Sequence, residues 1–290
     1  MSSATVGTPR GPQWTSTGRP PGLGRLLRTV GLTAGALVVI APVMWAALSS
    51  FKTTSELSRR PPALLPQTFS FENYGEALGS FDFTTYLINS VIVTIAATLL
   101  TLAINTMAAY ALAKYNFRGR DGLFLLTLAT IMIPLQVILL PVYEVVSSLG
   151  LVNSLLGLII PAAATPTGVF VLRQYMLTIP DDLIEAARID GAGEFAIFRR
   201  VVLPLCVPAL AVVTIFSVIW RWNDFLWPLV VAQDESVYTL PVALARLNSQ
   251  QVIPFNLVLA MSVLSIVPVV IMFLLLQRHI VTGIAQTGLK

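Results

Sequence analysis

The sequence predicts an all-α, polytopic membrane protein with six transmembrane helices, and three observations carry that prediction. Hydrophobic residues fill 56% of the 290 positions and mean hydropathy is +0.80, too apolar for a chain that folds as a globule in water. The apolar residues gather into six runs, each near the length that crosses a hydrocarbon core about 30 Å thick. The charged residues, only 11% of the chain, fall almost entirely between those runs.

Residues 1–24 are rich in Gly, Pro, Ser and Thr and read as a disordered tail. Arg19, Arg25 and Arg28 lead into the first run, Thr29 to Ser49. A secretory signal begins the same way, but its apolar core is shorter, roughly 7 to 15 residues, so this run reads as a retained span. Residues 50–84 are polar, carry Pro61, Pro62 and Pro66, and are too mixed to cross. The second span is Tyr86 to Ala109. The third, Leu123 to Val145, is interrupted by Pro134 and Pro141, and the fourth, Leu155 to Val171, contains Pro161 and Pro166. The fifth is Leu205 to Trp220 and the sixth Leu257 to Leu276. Proline inside a span is tolerated where neighbouring helices or a lined cavity satisfy the freed carbonyls.

Six crossings leave both termini on one side, and the basic residues say which. With the N-terminus in the cytoplasm, the inner set is Arg10, Arg19, Arg25, Arg28, Lys114, Arg118, Arg120, Arg173, Arg188, Arg199, Arg200, Arg278 and Lys290. The outer set is Lys52, Arg59, Arg60, Arg221 and Arg246. Thirteen against five is the bias that the positive-inside rule demands. The 18 Lys and Arg form no long run, so the pI near 9.5 marks topology rather than nucleic-acid binding.

One hydrophilic stretch stands out, Pro180 to Leu210, with Asp181, Asp182, Glu185, Arg188, Asp190, Glu194, Arg199 and Arg200 packed into 20 residues. Its pattern is two short helices with a sharp corner. Asp182 and Glu185 have the spacing of a capping box, Leu183 to Ile189 can make two turns, and Gly191 can go left-handed to end them. Glu194 to Arg200 then restarts a helix, acid first and base last, as the helix dipole prefers. Helices this short are marginal alone and need something to pack against.

The remaining chemistry is defined largely by what is missing. One histidine (His279) and one cysteine (Cys206) leave almost nothing from which to build a metal site or a Cys–His catalytic pair, and no intrachain disulfide is possible. No glycine is followed by lysine, so there is no phosphate-cradling loop of the G-x-x-x-x-G-K type. Apart from Glu144, no charge lies within the apolar segments as drawn, which argues against a proton-coupled carrier. Ser90, Thr94, Thr98, Thr101 and Asn105, spaced 4, 4, 3 and 4, share one narrow face of span two. Two readings of that stripe stand side by side: hydrogen-bond partners along a solute path, or close packing of two helices. Gln136 beside Pro134 is a further uncharged candidate for the path.

Glu185-Ala186-Ala187, then Asp190-Gly191-Ala192, then Leu203-Pro204-Leu205 resemble the cytoplasmic EAA loop of ABC-importer permeases. Trp220-Arg221-Trp222-Asn223-Asp224-Phe225, Thr239-Leu240-Pro241-Val242 and Phe71-Glu72-Asn73-Tyr74 are similar to the carbohydrate branch of that family. The resemblance implies a non-enzymatic permease subunit in a bacterial plasma membrane, passing a sugar. Permeases for glycerol phosphate are the near alternative, and a secondary carrier is a more distant one. The resemblance further implies a second permease subunit as heterodimer partner, two ATPase subunits carrying the ATP and Mg, and an external solute-binding protein. This chain would carry no cofactor of its own, and would meet membrane lipid but no nucleic acid. A coupling loop of about residues 173–203 is implied, with Glu185, Ala186, Ala187, Asp190 and Gly191 against the ATPases. Residues 234–251 would face the binding protein.

Overall fold

The computed structural model describes residues 23–61, 63–249 and 254–287, and among them there are helices and no strand. The expected N-terminal tail lies, through residue 22, outside the described residues. Residues 1–46 and 47–290 are separate compact units. The described part of the first is a single helix, α1 (Leu23–Ser49, its last three residues in the second unit), with Pro42 inside it and large apolar side chains such as Leu37, Val38 and Val39 exposed.

The second unit is organised on α4 (Phe83–Lys114), 32 residues without glycine or proline. Before it, α2 (Thr54–Leu57) is closed by a capping box between Thr53 and Glu56, and α3 (Glu72–Ser80) follows. Buried Asn73 donates to the carbonyls of Ser50 and Lys52 at 2.7 and 2.9 Å, which pins this segment down. After α4 the apolar runs are broken. α5 (Arg120–Ile131) and α6 (Leu135–Ser148) meet at 105° around Pro134, which has no N–H to offer a continuing helix and sits extended as the N-cap of α6. Pro141, expected to interrupt the same run, sits within α6.

Span four departs most from expectation. Leu155 to Val171 is not one helix: α7 (Leu155–Ile159) ends, six non-helical residues follow, and α8 (Pro166–Met176) begins with proline at its first position. Pro161 and Pro166 are five residues apart, and each removes a backbone donor that a continuous helix needs. Then come α9 (Asp181–Ile189) and α10 (Glu194–Ile197), a π-helical turn over Phe198–Val202, and α11 (Leu203–Leu205). α12 (Val207–Trp222) leaves this segment at 77° beside Pro208, and it is as long as the expected fifth span but shifted two residues toward the C-terminus. α13 (Leu226–Val231), α14 (Leu240–Ser249) and α15 (Phe255–Thr287) complete the chain.

Among the described residues three helices are long and apolar enough to cross a membrane, or five if each of two bent pairs is one crossing. Six crossings are compatible with these helices when the split fourth run is added. α4 packs chiefly against α8 and α12, and α12 against α15. One apolar cluster surrounds the Lys114 end of α4, through Tyr110, Leu172, Met176, Ile184, Ile197 and Val202. Another surrounds its Phe83 end, through Tyr86, Trp222, Tyr238, Leu240 and Met261.

Candidate functional site

The hydrophilic loop folds as a helical elbow held from behind. α9 starts at Asp181, with Pro180 in extended conformation as its N-cap and no side-chain cap bond. The expected capping box between Asp182 and Glu185 is therefore not formed. Proline fixes the entry two residues earlier, and both aspartates occupy the first turn, where the helix dipole favours them. The helix ends as its glycine foretold: Gly191 has φ +81°, its N–H bonds to the Arg188 carbonyl, and the Ala192 N–H reaches back to Ala187, each at 3.0 Å. That pair of bonds is a Schellman motif, which meets the last carbonyls of a helix and fits glycine at the left-handed position.

Ile184 and Ile197 anchor the elbow, 3% and 0% exposed against Tyr110, Met176 and Ile179. Burying each contributes about 2 kcal/mol, enough to offset the poor nucleation of two-turn helices. Polar bonds lock the two arms together. Arg188 grips Glu194 with Nε at 2.8 Å and Nη2 at 3.3 Å, and the Tyr115 hydroxyl donates to the same carboxylate at 2.6 Å. The Arg188 hydrogen bonds, then that from Tyr115, hold the Glu194 carboxyl below its usual range. The Glu194 carboxylate in turn raises the Tyr115 phenol well above the ordinary tyrosine value. Lys114 Nζ donates to the Ile179 carbonyl and to Asp181 Oδ1, both at 2.6 Å.

The outward face is what remains. Glu185, Ala186, Asp190 and Gly191 are exposed, while Ala187 is half-buried against the cluster behind. Two large apolar side chains flank the corner in the open, Ile189 at 86% and Phe195 at 73% exposure. Sequence reading passed over both. The available signal was an isoleucine two residues before Gly191 and a phenylalanine two residues after Gly193 in an otherwise charged stretch. The exposed face of the corner thus combines acidic and small residues with two large apolar side chains. Among the described residues no group of His, Cys, Asp or Glu is arranged to hold a metal.

The polar stripe of α4 faces inward. Ser90, Thr94, Thr98, Thr101 and Asn105 are all buried, and four of the five have partners on other elements. Ser90 Oγ accepts from Leu240 N at 2.8 Å, and the Thr98 and Ser217 hydroxyls bond at 3.0 Å. Thr101 donates to the Ala162 carbonyl at 3.0 Å. Asn105 donates to Thr165 Oγ1 at 2.7 Å and accepts from Thr165 N at 3.1 Å. Thr94 Oγ1 has no partner among the described residues. Thr101 and Asn105 thus satisfy the backbone that the break in span four leaves open, as a non-helical segment at membrane depth requires. Asn105 also explains Gly168, where an added Cβ would stand 2.1 Å from Asn105 Nδ2. Gln136 stands apart from this, exposed in the first turn of α6.

The apolar segments as drawn hold no arginine, yet the stripe meets one from just beyond the fifth. Because α12 runs on to Trp222, Arg221 projects from a helix, and its Nη2 donates to Thr101 Oγ1 at 2.6 Å and to the Ala162 carbonyl. Of the tryptophans around it, Trp220 is exposed. Trp222 and Trp227 turn inward, onto the carbonyls of Ser265 and Gly157.

This arrangement has counterparts. The chain is 38% identical over 267 residues to the arabinooligosaccharides transport system permease protein AraQ of Halalkalibacterium halodurans, covering 91% of this chain and 96% of that one. It is 33% identical over 274 residues to the sn-glycerol-3-phosphate transport system permease protein UgpE of Agrobacterium fabrum, covering 91% and 97%. With the diacetylchitobiose uptake system permease protein NgcG of Streptomyces coelicolor it shares 35% over 255 residues, covering 87% and 84%. Its fold matches a chain of a bacterial ABC transporter that imports the acidic polysaccharide alginate, with a TM-score of 0.82 and 25% identity over 92% of this chain and 99% of the other. Residues 105–286, from the amide that closes the break in span four to the last turn of α15, match the binding-protein-dependent transport system inner membrane component, and the chain belongs to that family of permease subunits.

Proposed function

We propose that the chain is the sugar-passing permease of an ATP-driven importer and that the elbow Asp181–Leu205 is where ATPase subunits take hold of it. The observation that carries this reading is the outward face of the elbow: exposed Glu185, Ala186, Asp190 and Gly191 flanked by exposed Ile189 and Phe195, on a corner braced from behind. Apolar side chains left open beside a rigid turn are what a groove on a partner covers. ATP and Mg sit on two partner ATPase chains, and this chain holds no cofactor. A second permease subunit completes the pathway, and a solute-binding protein delivers from outside near residues 234–251. Both termini lie in the cytoplasm of a bacterial plasma membrane, as thirteen inner against five outer basic residues favour. In this reading the elbow shifts when the ATPases close on ATP, and a difference in binding free energy between two states moves the spans.

The relatives that carry arabino-oligosaccharides and diacetylchitobiose support a sugar as the solute. A phosphorylated solute such as glycerol phosphate is the second reading, favoured by the Arg221 guanidinium on the stripe and by the glycerol-phosphate relative. Thr94, Thr98, Thr101 and Asn105 serve the path by shaping its wall, and Gln136, being exposed, is the candidate for direct contact. Cys206 is buried, so Glu185→Cys creates one reachable thiol for a cross-linker. It is expected to trap an ATP-hydrolysing subunit in native membranes, and trapping none overturns the docking assignment. Gly191→Asp is expected to insert normally yet lose uptake and coupled hydrolysis.

A further inference from the structure

We infer that α4 is a transmission rod: Lys114 and Tyr115 clasp the elbow at one end, Asn89 and Ser90 hold the 236–240 segment at the other, and movement of the elbow is carried between them through this helix. The inference rests on the reading of the elbow as the ATPase-docking site and extends it to a route not evident from chain order. By chain order the elbow joins α8 and α12, and both routes are mechanically interrupted. The run containing α8 is split between Ile159 and Pro166, and α12 leaves the elbow through a π-helical turn and a 77° bend. α4 has neither defect. Its 32 residues contain no glycine and no proline, the usual sites of a kink.

The grip at the elbow end is tight and engages both arms. Lys114 Nζ holds the Ile179 carbonyl and Asp181 at the entrance of α9, and Tyr115 holds Glu194 at the start of α10. Tyr110 lies between them, with ring centroids 5.1 Å from Phe198 and 5.4 Å from Tyr115. Arg173 reaches from α8 to the Leu112 carbonyl at 3.1 Å, adding a third tie at the same end. At the other end Asn89 Nδ2 donates to the Ser236 and Tyr238 carbonyls at 2.9 and 3.1 Å, and Ser90 takes the Leu240 N–H. Twenty-five residues separate Asn89 from Lys114, about 38 Å at 1.5 Å per residue. Coupling over such a span needs a contiguous element that both sites bias. Lys114, Tyr115 and Asn89 are therefore positioning residues, each acting through the segment that it holds.

The test uses the full importer, co-expressed with its partner subunits and reconstituted in liposomes, with Glu235→Cys as reporter. Glu235 begins the turn held by Asn89, and Cys206 is buried and does not compete for a thiol label. The parent complex, trapped with Mg-ATP and vanadate, is expected to change its labelling rate at residue 235 by about fivefold. Tyr115→Phe with Lys114→Met, and separately Asn89→Leu, are expected to cut that response below about twofold while the complex still hydrolyses ATP. Lys114→Arg, which keeps charge and donors, retains it. A purely structural role would instead lower hydrolysis and assembly together. Variants that respond like the parent, or a parent that binds its ATPases without any response at residue 235, overturn the rod alone. A parent that recruits no ATPase through the elbow overturns the docking assignment instead.

Discussion

Two polar patterns of this apolar chain, the stripe on α4 and the elbow, have opposite fates. In the stripe every polar side chain from Ser90 to Asn105 is buried, and most close a bond to another element. In the elbow the polar and small residues Glu185, Ala186, Asp190 and Gly191 are exposed, and the bonded residues, Arg188 and Glu194, serve the corner itself. The difference teaches how polarity is used where water is scarce. At membrane depth a hydroxyl or amide answers an unmet backbone group, here the 160–165 break. At the aqueous end it frees a surface for a partner. A polar residue in the stripe is therefore paid for in folding stability, and one on the elbow in activity.

Substitutions can break or sharpen that contrast. Asn105→Leu carries the largest expected cost, about 3 kcal/mol, since it strands the Thr165 N–H and hydroxyl and crowds Gly168. Thermal unfolding in detergent should register it, and an unchanged midpoint would remove the stripe's structural role. Thr98→Val loses one interhelical bond to Ser217 and is expected to cost about 0.6 kcal/mol. Thr94→Val discriminates within the same face. With no partner among the described residues to lose, it should be neutral within about 0.5 kcal/mol, and a larger loss would mean that Thr94 answers a group on a partner chain. Ile189→Ser on the elbow is likewise expected to leave stability within about 0.5 kcal/mol, yet to reduce co-purification of the ATPases.

The smallest effect is electrostatic. The Glu194 carboxyl is depressed by Arg188 first and Tyr115 second, so its contribution to folding is fully present above the unfolded value of about 4.3. It is lost as pH falls below that value and through the folded one. Protection of the Gly193 to Ile197 amides, measured as exchange relative to the intrinsic rate at each pH, should fall over that acid window and stay flat above it, and Glu194→Gln should abolish the dependence.

The helical class, the apolar runs and the corner at Gly191 were legible because each rests on local chemistry. Composition fixes the solvent, run length the crossing, and a glycine between short amphipathic segments the left-handed turn. The split of span four was only half legible: Pro161 and Pro166 marked trouble, but not that the chain would leave the helix altogether between them. That outcome depended on Thr101, Asn105 and Arg221, which are remote in sequence and supply the bonds that make the break tolerable. The capping box at Asp182 and Glu185 failed for the converse reason. Pro180 set the helix start earlier, and Lys114, 67 residues away, engaged Asp181.

By itself, then, the sequence determined the solvent of this protein, the helical elements and the place of its one wet corner, because these follow from nearest-neighbour sterics and from transfer out of water. Only the tertiary structure decided that the stripe on α4 serves a neighbouring break, that Arg221 joins it, and that Lys114 and Tyr115 grip the elbow. Those pairings bring together residues some 60 to 120 positions apart. No local pattern records which unmet carbonyl or carboxylate a distant donor will meet once the helices pack.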